Sequence, residues 1–206
     1  MKQILKSPAI YQLYQELGGF FGARVEAIRD YLTVRPGMRI IDIGCGPGHI
    51  VKYLPDGVDY TGLDIDEPSI AYAREHFGHK GRFEARFFDA EAAREMGPAD
   101  LVMMNGVMHH IGDADLAVTL GVIHDALKPD GVLFTLDGCY APGQSRLAKW
   151  LLDNDRGVHV RPADGYRRLL EDRFGAVEMH VRDDMSRLPY TFAIAVARPV
   201  PETVAA

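Results

Sequence analysis

Residues 40–48, Ile-Ile-Asp-Ile-Gly-Cys-Gly-Pro-Gly, put a carboxylate and three glycines where an apolar run gives way to a helical stretch. Glycines at 44, 46 and 48 allow tight backbone conformations and let a ligand lie directly against the main chain. Open α/β sheets bind ligands beyond the carboxyl ends of their strands, where such a turn would sit. The spacing is G-x-G-x-G, with His49 standing where the dinucleotide fingerprint needs its third glycine. Pro47 also removes a backbone donor that a pyrophosphate would use. Asp42, just before the turn, suits a cationic ligand and poorly suits a pyrophosphate. A nicotinamide-dependent oxidoreductase is therefore the weaker reading of this turn.

Asp64 follows Gly44 by 20 residues, at the end of the next apolar run. A carboxylate there can accept both hydroxyl protons of a ribose. The helix cap in this region is better assigned to Asp66, which precedes Glu67-Pro68. Asp89, in Phe87-Phe88-Asp89-Ala90, either reads the amino edge of an adenine together with the Ala90 N–H or caps the following helix. Cys45 is lodged inside the turn, and no His, Cys or Asp spacing matches a structural zinc site, so no metal is expected.

These residues need a sheet to position them. Apolar runs at 38–43, 58–64, 82–88, 99–104, 131–136, 176–181 and 190–197 alternate with helical patterns near 48–54, 67–77, 90–95, 114–127, 144–153 and 163–173. Alternation of this kind implies parallel strands with crossover helices, hence a three-layer α/β fold. The last two runs have no helix between them, which predicts an antiparallel edge hairpin. Two further helices are expected at about 8–17 and 19–33, broken at Gly18-Gly19. The whole chain, 1–206, reads as one domain with an N-terminal helical cap (1–33) and an insertion over the site (140–173). A formal net charge of -6 argues against nucleic acid as the main partner. Two cysteines and the lack of a long apolar run point to a cytoplasmic chain that neither crosses a membrane nor relies on disulfides.

The motifs IIDIGCGPG, GLDID, FFDA, MMNGVMHHI and LKPDGVLFTLD, in this order over residues 38–137, resemble the class I S-adenosylmethionine-dependent methyltransferases of the small-molecule type. SPAIYQLYQELGG, DRGVHVRP-x-x-GY and RLPYTFAI look like a bacterial subset of them. The resemblance implies a Rossmann-like, seven-stranded sheet in the order 3-2-1-4-5-7-6 with strand 7 antiparallel. It implies that Gly44, Cys45, Gly46 and Gly48 lie along the methionine and ribose portion of S-adenosylmethionine. Asp42 would lie near its ammonium group, Asp64 on its ribose and Ile65 against its adenine, with Asp89 and Ala90 reading the adenine edge. Asn105 and Gly106 would lie beside the methionine moiety, and Tyr11 and Tyr14 of an N-terminal helix would fold over it. A silent S-adenosylmethionine-binding module is the alternative to an enzyme.

Methyl transfer is an in-line displacement, so the chain must align a nucleophile, exclude water and manage one proton. An oxygen or nitrogen nucleophile of a small-molecule acceptor would benefit from a base, for which His109, His110 and His159 are the candidates, the alternative for the His109-His110 pair being that it only shapes the pocket. Arg156, Arg161 and Tyr166 are expected to face the acceptor and hold an anionic group, unless 146–173 is simply a lid with a solvated charged face.

Overall fold

A computed structural model describes residues 18–199. The apolar runs form β1 (Arg39–Ile43), β2 (Asp59–Asp64), β3 (Arg82–Ala85), β4 (Ala99–Asn105), β5 (Leu127–Tyr140), β6 (Arg161–Pro162), β7 (Ala176–Arg182) and β8 (Phe192–Arg198). Between and before them lie α1 (Phe20–Tyr31), α2 (Glu67–Phe77), α3 (Ala90–Met96), α4 (Asp113–Ala126), α5 (Arg146–Asp153) and α6 (Ala163–Glu171). The helix expected over 8–17, with Tyr11 and Tyr14, lies outside the described residues.

The strands are ordered β3-β2-β1-β4-β5-β8-β7, with the two-residue β6 paired to β5 alone. Setting β6 aside, this is the order expected from the sequence. Only β8 runs antiparallel to its neighbours β5 and β7 within that path. Side chains alternate between two cores, as a pleated strand requires. Ile40, Leu101 and Met103 join one core with α1, α2 and α5; Ile41, Ile43, Val102 and Met104 join the other with α3, α4 and α6. Burial on both faces explains why the parallel strands read as continuous apolar runs.

The helix boundaries follow local chemistry. Asp66 caps α2 by accepting from the Ser69 N–H at 3.0 Å, with Pro68 in the first turn. The helix expected at 48–54 is a 3-10 turn, His49–Tyr53, confined between left-handed Gly48 (φ 75°) and extended Leu54. So short a span favours the tighter helix. β3 ends at Ala85 rather than 88, because Phe88 turns into the core and Asp89 begins the cap of α3.

The stretch 140–173 divides in two. Arg161 pairs with Cys139 through β6, and α6 buries Tyr166 and Leu170 in the second core. The chain from 161 onward is thus part of the domain body, which leaves α5, itself packed on the first core, and the loop to Val160 as the expected cover.

Candidate active site

β1 delivers its carboxyl end to the glycine turn, where Gly44, Gly46 and Gly48 all take positive φ (72°, 54° and 75°). The Gly44 and Cys45 N–H groups donate to the Leu63 carbonyl of β2 at 2.7 and 3.0 Å, tying the turn to its neighbour. Gly46 N–H donates to Asp64 Oδ2 at 2.8 Å, and Asp66 N–H donates to Asp64 Oδ1 at 2.9 Å. Each Asp64 oxygen keeps acceptor capacity beyond these bonds, which a pair of vicinal hydroxyls could use.

The glycines serve different ends. A Cβ on Gly46 would meet nothing within 4 Å, so this residue borders open space. A Cβ on Gly44 would lie 2.4 Å from Val107 Cγ2, and one on Gly48 would lie 2.7 Å from the Phe83 ring. Packing against the core is therefore by itself enough to require glycine at 48. Cys45 likewise turns its sulfur onto β2, where it would lie 2.8 Å from a Cβ on Gly62. Burial pushes its thiol well above the usual range. The Cys45 side chain thus packs within the turn and against β2.

Asp42, Asn105 and Gly106 come together at the ends of β1 and β4. Asp42 is 1% exposed; its Oδ2 accepts from Tyr60 Oη at 2.7 Å, and its Oδ1 has no partner among the described residues. Both amide atoms of buried Asn105 also lack partners there. Burial pushes the Asp42 carboxyl up to about 7, against the opposing pull of Tyr60, Arg24 and Asn105. Arg24 enters this corner from α1, with Nη2 3.1 Å from the position of a Cβ on Gly106. Nothing in the sequence distinguished Arg24 from any other charged residue of an amphipathic helix.

Ile65 and Phe87, just beyond the ends of β2 and β3, are 63% and 71% exposed. Two large apolar side chains at the ligand edge of the sheet suit a flat aromatic group. Asp89 Oδ1 caps α3, accepting from the N–H groups of Glu91 and Ala92, as the second of its two readings anticipated. Ala90 opens that helix on the exposed edge.

The paired histidines separate completely. His109 is 6% exposed, with Nδ1 2.6 Å from Asp137 Oδ1 and Nε2 3.5 Å from Asp155 Oδ1. Burial alone would lower its affinity for protons, but the two carboxylates outweigh it and hold the imidazole at about 9. The two carboxylates thus bias His109 towards its imidazolium form, which favours a structural role over that of a base. His110 is exposed, its ring centroid 4.2 Å from that of His109. Partial burial and the neighbouring imidazolium lower its pKa.

The cover contributes less to an acceptor site than its sequence suggested. All five N–H groups of Arg161 are spent internally, on the Asp113 carboxylate and the carbonyls of Met108, His159 and Ile111. Tyr166 is 1% exposed and donates to the Gly138 carbonyl. Neither can hold an acceptor anion, so both expectations are corrected. His159 is exposed, and its ring lies 3.7 Å from a Cβ on Gly112, at the start of α4. Arg156 is exposed and its charge reaches His110. Among the described residues, no group of three His, Cys, Asp or Glu side chains could hold a metal ion.

The family model described as a methyltransferase domain matches residues 18–175. This chain belongs to that family. The methyltransferase is 30% identical over 184 residues to a ubiquinone biosynthesis O-methyltransferase of Brucella anthropi, with 77% of this chain and 72% of the relative covered. It is 27% identical over 149 residues to phosphoethanolamine N-methyltransferase 3 of Arabidopsis thaliana, covering 69% of this chain and 30% of the relative. Human N-acetylserotonin methyltransferase, solved in complex with S-adenosylmethionine, shares the fold at a TM-score of 0.62 and 21% identity. That match covers 86% of this chain and 51% of the human one, so the methyltransferase spans about half the length of this structural relative.

S-adenosylmethionine is the cofactor, and the residues present fit it. Its methionine end is a zwitterion, and the corner holds an unpartnered carboxylate oxygen and amide for an ammonium, with a guanidinium for a carboxylate.

Proposed function

We propose that this methyltransferase methylates a hydroxyl group of a small-molecule acceptor, with His110 taking the hydroxyl proton. S-adenosylmethionine, when bound, supplies an electrophilic methyl group on its sulfonium. Asp42 and Asn105 orient the ammonium end, Arg24 the carboxylate, and Asp64 the ribose, with Ile65 and Phe87 beside the adenine. The open face of Gly46 admits the ligand to the main chain. Asp89 and Ala90 remain at the adenine edge, Asp89 using the oxygen left over from its cap. The loop before Val160 covers the acceptor side and reduces its exposure to water. A net charge of -6 makes a small molecule a better acceptor than a nucleic acid. Among the described residues no helix is long and apolar enough to cross a membrane.

The observation that carries this reading is the contrast between the two adjacent imidazoles. A base must be unprotonated and reachable at the working pH. His110 meets both conditions; His109 is buried and charged, and its charge helps keep His110 neutral. Arg156, near His110, adds to the positive field that favours a developing oxyanion.

His110→Gln is expected to lower kcat/KM by about 10²–10⁴-fold, the usual contribution of a general base. S-adenosylmethionine affinity should stay unchanged, and the acid limb of the pH profile, below the ordinary imidazole range, should disappear. Product formation followed by mass spectrometry across phenol, catechol, amine and carboxylate acceptors checks both points. Wild-type turnover with an intact acid limb in the variant would remove His110 from this role, and turnover confined to amines would overturn the hydroxyl assignment.

A further inference from the structure

Tyr60 is a wholly buried phenol in the strand beside the cofactor corner, 1% exposed and far from any surface role. β1 and β2 run parallel, with Ile40 opposite Tyr60 and Asp42 opposite Gly62, so Tyr60 and Asp42 share a face of the sheet. The ring is wedged. Its centroid lies 5.6 Å from that of Phe83, and a Cβ on Gly81 would come within 2.7 Å of its Cδ1. Among the described residues its hydroxyl donates to Asp42 Oδ2, at 2.7 Å.

We propose that Tyr60 is a positioning residue for cofactor binding, fixing one oxygen of Asp42 so that the other is presented to the cofactor's ammonium group. A rigid phenol on a strand holds the carboxylate in one rotamer, which a mobile or solvent-borne donor would not. Burial raises the phenol far above its ordinary range, so it stays a donor at every working pH. The Asp42 carboxylate is faced by Tyr60 and Asp64 from β2, Arg24 from α1, Asn105 from the end of β4 and Cys45 from the turn. Burial and Asp64 favour its neutral form; Tyr60, Arg24 and Asn105 favour the anion that an ammonium needs. The inference rests on S-adenosylmethionine as cofactor and is independent of the acceptor and of His110.

The test is calorimetric titration of the whole chain with S-adenosylhomocysteine between pH 6 and 8.5. In the wild type, affinity should rise with pH and level off once Asp42 is ionised, above about 7. Tyr60→Phe should move that plateau upward by about one pH unit, with a roughly tenfold loss near pH 6, about fivefold near pH 7, that narrows towards pH 8.5. An analogue lacking the amino group should bind the variant and the wild type alike. Incorporating 3-fluorotyrosine at position 60, which keeps the ring and strengthens the donor, should move the plateau downward and serves if the phenylalanine variant does not fold. An unshifted plateau with 3-fluorotyrosine would overturn the proposal. So would a pH-independent loss in Tyr60→Phe matched by the desamino analogue, which would mark the tyrosine as a core residue only.

Discussion

Asp64→Ala is expected to weaken S-adenosylmethionine binding by about 30- to 1,000-fold, corresponding to about 2–4 kcal/mol. The carboxylate has two duties. It holds the glycine turn through the Gly46 N–H and the start of α2 through the Asp66 N–H, and in the proposed site it offers its remaining lone pairs to the ribose. A hydrogen bond to a charged acceptor contributes about 1.5–3 kcal/mol, and two that share one carboxylate are not additive. Asp64→Asn keeps one acceptor and should lose less. Asp66→Ala is the control, since it removes only the α2 cap and should cost about 1 kcal/mol of stability while leaving affinity intact. Calorimetry with the cofactor and its demethylated product, alongside urea melts, separates the two effects. Equal binding by Asp64→Ala and the wild type would remove Asp64 from the ribose site.

The second large effect concerns the strap across the cover. Asp155 lies between His109 and Tyr190, with Oδ1 3.5 Å from His109 Nε2 and Oδ2 accepting from Tyr190 Oη at 2.7 Å. The loop can approach because residue 157 is glycine; a Cβ there would fall 1.8 Å from His109 Cδ2. Asp155→Ala should cost about 2–4 kcal/mol near pH 6, because it strips a buried imidazolium of one carboxylate. The pH dependence has a definite sign. The folded protein holds the His109 proton to about 9, against 6.5 for an ordinary histidine. Its stabilisation is therefore complete below about pH 6.5 and fades as pH rises through 9. Asp155 lies well below its ordinary 3.8, because hydrogen bonding and charge from His109 overcome the cost of burial. Its share is present above 3.8 and disappears only in strong acid. Denaturation at pH 6, 7.5 and 9.5 should show the gap between wild type and variant shrinking with pH. Gly157→Val should open the same loop by displacement. A gap of constant size, or none at pH 6, would show that the strap is not ionic.

Much of the fold was legible because it is local. The turn after β1 depends on the φ angles of three glycines, and the cap of α2 on Asp66 and Ser69, so a few adjacent residues suffice. The parallel sheet followed from alternation and the antiparallel edge from the missing helix before β8, while the strand order came with the family resemblance. The exceptions have local causes too. The segment after Gly48 was too short for an α-helix, and β3 gave way early to the Asp89 cap.

The site was legible only in part. Asp42, Asp64 and the glycine turn stand where their order along the chain placed them, but their partners come from elsewhere. Arg24 arrives from a helix before the first strand, and Tyr60 from the neighbouring strand. Residues 109 and 110 illustrate the limit most clearly. Two identical side chains in succession carry no signal that one is buried between carboxylates and the other exposed. That difference is made by Asp137 and Asp155, whose carboxylates contact the His109 ring, from 28 and 46 positions further along the chain. Arg161 is the converse case: a basic residue suited to an anion, whose donors are consumed by Asp113 and three carbonyls folded around it. From its sequence alone this protein specified a glycine-lined turn on a parallel sheet and the carboxylates beside it, because backbone conformation and strand pattern are set by near neighbours. Tertiary structure alone decided which groups are charged and which are spent, because burial and long-range partners set the energy of every ionised group.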